Sequence, residues 1–154
     1  MRGAAALVRY RVMAYVVGVL LAVLVLVGVP LEFLAGAPGV DQVLGTAVLM
    51  FLIFAITDPL GANPSPAVSA IAIGLVVVAI GMALGLNNGY AINPARDFGP
   101  RLMEFFTGYG TAWTDQHGNV FFWVPILGPI VGGLVGGAVY QLTVARALPR
   151  GLLK

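Results

Sequence analysis

Along this chain apolar residues run in long blocks, and each block is closed by a cluster of turn formers or charges. Residues 12–31, 42–57, 67–86 and 121–144 form such blocks. A hydrocarbon core of roughly 30 Å needs about 20 apolar residues to cross it, so the pattern predicts four membrane-spanning helices. Residues 35–41 read as a Gly/Pro turn region, and Asp58-Pro59-Leu60-Gly61-Ala62-Asn63-Pro64-Ser65-Pro66 reads as a loop. Residues 109–120 are polar and aromatic, which predicts an aqueous loop with Trp113 at the interface.

One stretch breaks the pattern from inside: Gly85-Leu86-Asn87-Asn88-Gly89-Tyr90-Ala91-Ile92-Asn93-Pro94-Ala95-Arg96-Asp97-Phe98-Gly99-Pro100-Arg101 sets polar and charged residues within an apolar sequence. Asn87-Asn88-Gly89 stops the preceding helix. Asn93-Pro94 starts another, because Asn accepts from the free N–H groups of a first turn and Pro at the first helical position loses no hydrogen bond. The spacing predicts a short helix over residues 94–107, and leaves 89–92 as non-helical backbone. At membrane depth such backbone persists only where protein or a wet cavity satisfies it. The fold class read from the sequence is therefore an all-α membrane protein with four transmembrane helices and one re-entrant half-helix.

Composition strengthens this. Hydrophobic residues make up 60% of the chain and charged residues 9%, with mean hydropathy +0.99, values of an integral membrane protein and not of a soluble domain. The net charge of +2 does not point to nucleic acid, because the basic residues sit mostly near the ends. Arg2, Arg9 and Arg11 precede the first block, and Arg146, Arg150 and Lys154 follow the last. The positive-inside rule then predicts both termini cytoplasmic and an even number of crossings, in a multi-pass protein of the cell membrane. The first block is too long for a signal-peptide core and reads as a retained anchor.

No cysteine is present, so disulfides and thiolate metal sites are excluded. Asp115 and His117 are the one metal-like pair and read as solvated loop. No nucleophile-base set, phosphate loop or carboxylate pair suggests an enzyme, and no cofactor is expected. Gly128, Gly132 and Gly136 recur at four-residue spacing, a face along which helices approach closely.

The run GYAINPARDFGPR resembles the second pore signature of the major intrinsic proteins, the aquaporins and glycerol facilitators. Asp97 after the arginine, and Arg101 four further on, resemble the glycerol branch. So does Val124-Pro125-Ile126 in the last helix. The resemblance covers residues 42–150 and corresponds to the second half of such a channel. Residues 1–36 are read as a transmembrane helix of different origin, 37–41 as a junction and 42–154 as the aquaporin-like half. Arg9-Tyr10-Arg11-Val12-Met13-Ala14-Tyr15-Val16-Val17-Gly18 resembles the start of a family of small integral membrane proteins of unknown function. Asn63-Pro64-Ser65 is not read as a first NPA box, since no apolar half-helix with an arginine follows it.

A half-helix starting at Pro94 would present about half a positive charge toward the membrane middle, which disfavours cations. Asn93 would offer an amide donor, Arg96 a full charge and several donors, and the carbonyls of Gly89, Tyr90 and Ala91 acceptors. Ala95 completes the turn. Pore selectivity in aquaporin-type channels follows from such a track of donors, acceptors and electrostatic barriers. By resemblance, Tyr90 matches the aromatic wall of the filter, and Gly81 the position whose missing side chain widens it; on the residues alone Tyr90 could equally be packing.

An intramembrane arginine has a functional reading, because its burial costs about 2.5 kcal/mol or more, and a structural one, pairing with Asp97 or Glu104. Asp97 and Arg101 stand in the favourable helical order and should pair with each other, leaving Arg96 for the pore. Where the family has a buried glutamate bracing the pore loop, this chain has Gln42, a weaker acceptor than a carboxylate.

The resemblance implies passive passage of glycerol, other small neutral solutes and water. The expected partners are the lipid bilayer and a complementary channel half or a homo-oligomer. The competing reading is a truncated or fused membrane protein that does not conduct.

Overall fold

The computed structural model describes residues 39–61, 63–86 and 89–148. The first expected span, residues 12–31, lies outside them, as do the whole segment 1–36 and residues 37–38 of the junction. The described residues form helices α1 (Val40–Thr57), α2 (Pro66–Leu84), α3 (Pro94–Phe106), α4 (Val124–Leu142) and the short α5 (Val144–Ala147). Three candidate spans result, since Val124–Ala147 counts as one stretch of 24 residues. Between the second and third of these spans, α3 has 13 residues and is about 20 Å long at 1.5 Å per residue, too short to cross.

Local chemistry sets each boundary. α1 starts after Gly39, whose φ of 111° is open to glycine at little cost. α2 opens on Pro66 and runs 19 residues, so Asn63-Pro64-Ser65 leads into a full-length span and not a half-helix. α4 starts three residues later than the apolar block, because Phe121 and Phe122 donate their backbone N–H groups to the Trp113 carbonyl at 2.9 and 3.3 Å. That turn ties them to the preceding loop. Trp113 itself packs its ring against Phe98, Phe105 and Phe122 with centroids 6.1, 5.3 and 5.5 Å away.

α1 lies between α2 and α4. Its α4 face meets the glycine stripe: a Cβ built on Gly128 would come within 2.8 Å of Gln42 Cβ, and on Gly132 or Gly136 it would fall on the backbone carbonyls of Val43 or Ala47. Leu52 and Ile80 are fully buried at the α1–α2 contact side of the core, while Ile71, Leu75 and Met82 on α2 and Leu134 on α4 face outward. An apolar exterior around an apolar core suits a bilayer as solvent.

At the far end of the core Tyr140 is buried between Phe51 and Phe54, and its hydroxyl donates to Asp58 Oδ2 at 2.6 Å. The Asp58 Oδ1 atom accepts from the Leu60 N–H at 2.8 Å, so one carboxylate joins the end of α1, the following turn and α4. A hydrogen bond to a charged group contributes about 1.5–3 kcal/mol. Tyr140→Phe is expected to lower stability by about 1.5 kcal/mol in denaturant titrations in detergent, with the fold retained.

Candidate pore site

The half-helix begins as its sequence requires. Asn93, in extended backbone at φ −156°, caps α3 by accepting through Oδ1 from the N–H groups of Ala95 and Arg96 at 3.0 and 3.3 Å. Pro94 fills the first helical position. The Asn93 amide NH₂ remains as a donor at the exposed start of the helix, where the dipole is positive. Pro100 lacks an N–H and so leaves the Arg96 carbonyl without its helical donor.

The preceding loop is pinned from beneath. Gln42 is fully buried; its Nε2 donates to the Gly89 carbonyl at 3.0 Å and its Oε1 accepts from the Ile92 N–H at 2.8 Å. Thr46, one turn along α1, donates to the Gln42 carbonyl at 2.7 Å and reaches the Ile92 carbonyl at 3.5 Å. Ile92 sits at φ 40°, a left-handed conformation that a β-branched residue rarely takes and that costs of order 1–3 kcal/mol. The surroundings hold it there, with its side chain buried in the core against Gly45, where a Cβ would approach Ile92 Cγ2 to 3.0 Å. Gly89, at φ 73°, makes the other left-handed turn.

Above the loop, Arg96 folds back over it. Its Nη1 donates to the carbonyls of Tyr90 at 2.7 Å and Ala91 at 3.4 Å, and its guanidinium carbon lies 4.8 Å from the Tyr90 ring centroid. Arg96 pairs with neither Asp97 nor Glu104 in the structure. The single ion pair among the described residues joins Arg101 to Asp97 at 2.5 Å. The Tyr90 ring occupies the space at Gly81: a Cβ there would lie 2.8–2.9 Å from three ring carbons. The space left by the missing side chain at Gly81 is taken by the Tyr90 ring, so the glycine decides where the ring rests.

Two features depend on partners distant in the chain. Arg101 does more than pair with Asp97, since its Nη1 donates to the carbonyls of Ala112 and Thr114 at 2.9 and 3.2 Å and so clamps α3 to the loop ahead of α4. Only the acid-first spacing was visible in sequence. The Gly89 carbonyl, expected among the acceptors of the track, is engaged by Gln42, while those of Tyr90 and Ala91 stay with Arg96. Asp115 accepts from the backbone N–H groups of His117 and Asn119, each at 2.8 Å, which makes it a turn-forming residue.

A cleft of about 300 Å³ borders the half-helix start, with Thr46, Met50, Ile92, Asn93, Pro94 and Pro129 among its lining. The site thus combines a helix N-terminus, an uncovered amide, a cation over an aromatic ring and aligned carbonyls, all between apolar spans.

Known proteins are similar to this chain over much of its length. A family model described as major intrinsic protein matches residues 4–140, a range that begins within the segment read above as being of different origin. Aquaporin-10 of Milnesium tardigradum is 39% identical over 132 residues, covering 78% of this chain and 32% of that protein. Human aquaporin-9 is 38% identical over 104 residues, 68% of this chain and 35% of the relative. Human aquaporin-10 is 40% identical over 111 residues, 72% and 36% respectively. The chain therefore spans about a third of the length of these relatives. The family is one of membrane channels for water and small solutes, not of enzymes. With its NPAR half-helix set between apolar spans, and with these matches, the chain belongs to the major intrinsic protein family.

Proposed function

We propose that these residues form one wall and the arginine-bearing constriction of a glycerol-facilitator-like channel, which passes glycerol, small neutral solutes and water. The other wall comes from a complementary half outside these residues. The observation that carries the reading is the set Gly81, Tyr90 and Arg96: an aromatic face seated on a glycine, with a guanidinium 4.8 Å from its centroid and hydrogen-bonded to the adjacent carbonyls. A polyol has a carbon face and a hydroxyl edge. The Tyr90 ring fits the first, and the Arg96 donors with the Tyr90 and Ala91 carbonyls fit the second. Cations meet both the helix dipole and the Arg96 charge. The proposed setting is the cell membrane with both termini cytoplasmic, supported by the terminal basic residues.

The test is a hybrid pore, in which these residues are joined to the first half of a matched relative and reconstituted into liposomes. Glycerol-driven reswelling well above that of empty vesicles is expected, with sodium excluded. Arg96→Ala in the hybrid is expected to retain glycerol flux and admit sodium. A hybrid that passes water and rejects glycerol would refute the glycerol assignment, and an unchanged sodium leak in Arg96→Ala would remove Arg96 from the filter.

A further inference from the structure

The loop that carries Tyr90 is held by an amide, and an amide has two ends. Gln42 must present Oε1 to the Ile92 N–H and Nε2 to the Gly89 carbonyl; turned over, it would set donor against donor and acceptor against acceptor. Something must choose between the two orientations. Asp41, the preceding residue, is 3% exposed beside a fully buried Gln42. Its Oδ2 accepts from Gln42 Nε2 at 3.1 Å, and its Oδ1 accepts from the Gln42 backbone N–H at 2.8 Å. Both N–H bonds of the Gln42 NH₂ group are thereby used, one on Asp41 and one on Gly89.

We infer that Asp41 is a positioning residue for the pore loop: its carboxylate selects the orientation of the Gln42 amide and so fixes the Gly89 carbonyl and the Ile92 N–H on either side of Tyr90. A carboxylate offers acceptors only, so the Nε2 end of Gln42 is the end it attracts. Its place in the helix lends the side chain a further role. Asp41 lies in the first turn of α1, where the backbone N–H groups lack helical partners and its Oδ1 takes one of them. The negative group thus stands one residue before the loop-contacting side chain, and the loop receives a donor as well as an acceptor. A carboxylate at position 42 could supply only the acceptor. The strained φ of Ile92 gives the arrangement its consequence, since a residue at 40° stays there only while its N–H is held. The inference concerns the shape of the loop and stands whether or not the chain conducts.

Amide exchange tests it without any flux. The full chain, labelled with ¹⁵N-isoleucine and held in detergent micelles, reports Ile92 directly, with Ile80 of α2 as an internal control. In Asp41→Asn the side chain keeps one acceptor for the Gln42 backbone N–H and turns an NH₂ toward Gln42, which flips the amide. Ile92 exchange is then expected to accelerate about tenfold, as the loss of one hydrogen bond would give, with Ile80 unchanged. In Asp41→Asn/Gln42→Glu the new NH₂ donates to a carboxylate that again accepts from Ile92, and slow exchange should return. Wild-type exchange in Asp41→Asn, or a double variant no slower than the single, would overturn the inference. If Asp41 merely caps α1, the second substitution brings no recovery, which also overturns it. Should Asp41→Asn fail to fold, recovery of folded protein in the double variant supports the pairing, and failure of both refutes it.

Discussion

A polypeptide of these 154 residues, purified and reconstituted alone, is expected to give glycerol flux indistinguishable from that of empty liposomes. Asn93 and Arg96 are exposed, the cleft beside Asn93 and Pro94 is open, and one half-helix is present among the described residues. In hydrocarbon an unsatisfied polar group costs roughly 2–7 kcal/mol, so this face must be covered by protein or flooded. A second copy is not expected to complete the pore. Both copies carry the same basic residues at their ends and insert the same way round, so their half-helices cannot meet N-terminus to N-terminus. A homo-oligomer can shield the face without rebuilding the filter. Stopped-flow light scattering on proteoliposomes decides the matter, and rapid glycerol uptake by the isolated chain would show that one half suffices. The hybrid pore is the matching positive experiment.

The second large effect concerns stability. Gly136→Ala would drive a methyl group onto the Ala47 carbonyl of α1, and Gly132→Ala one onto that of Val43. Backbone cannot rotate aside as a side chain can, so α1 and α4 must separate, and overpacking of this kind costs typically about 1–3 kcal/mol or more. Combining the two should cost less than their sum, because one separation relieves both. Gly133→Ala is the control. There the nearest atom to an added Cβ is Met50 Cε at 3.9 Å, and alanine is a better helix former than glycine by about 1 kcal/mol. Unfolding titrations in mixed micelles should therefore lower the midpoint for Gly132→Ala and Gly136→Ala, and leave it unchanged or higher for Gly133→Ala. Equal losses at all three positions would contradict the packing described. Since Gly128 meets Gln42 Cβ along the same stripe, the close approach of α4 also seats the residue that holds the Gly89–Ile92 loop.

Much of this protein is written in one dimension. Apolar block length fixed the bilayer as solvent, because about 20 apolar residues in a row are stable nowhere else in bulk. Asn93-Pro94 determined where the half-helix begins, since its cap and its first residue are adjacent in sequence and need no tertiary partner. The Asp97–Arg101 pair was readable for the same reason, being one helical turn apart. The boundary of α4 was misplaced by three residues because the Trp113 carbonyl, which holds Phe121 and Phe122 in a turn, belongs to another segment.

What only the tertiary structure decided depends on residues distant in the chain. Gln42 was visible as a departure from the family's glutamate, but its two-ended hold on Gly89 and Ile92 spans 47 and 50 residues, and the part of Asp41 appears only once that amide is oriented. Gly81 announces a missing side chain, and it takes the fold to show that Tyr90, nine residues on and across a break in the helix, fills the space. Arg101 shows its partner four residues away and hides the carbonyls it clamps at Ala112 and Thr114. Local hydrogen bonding and block hydropathy are properties of neighbours, and sequence records them. Orientation of an amide, the resting place of a ring and the left-handed backbone of Ile92 are set by surfaces that meet only after folding.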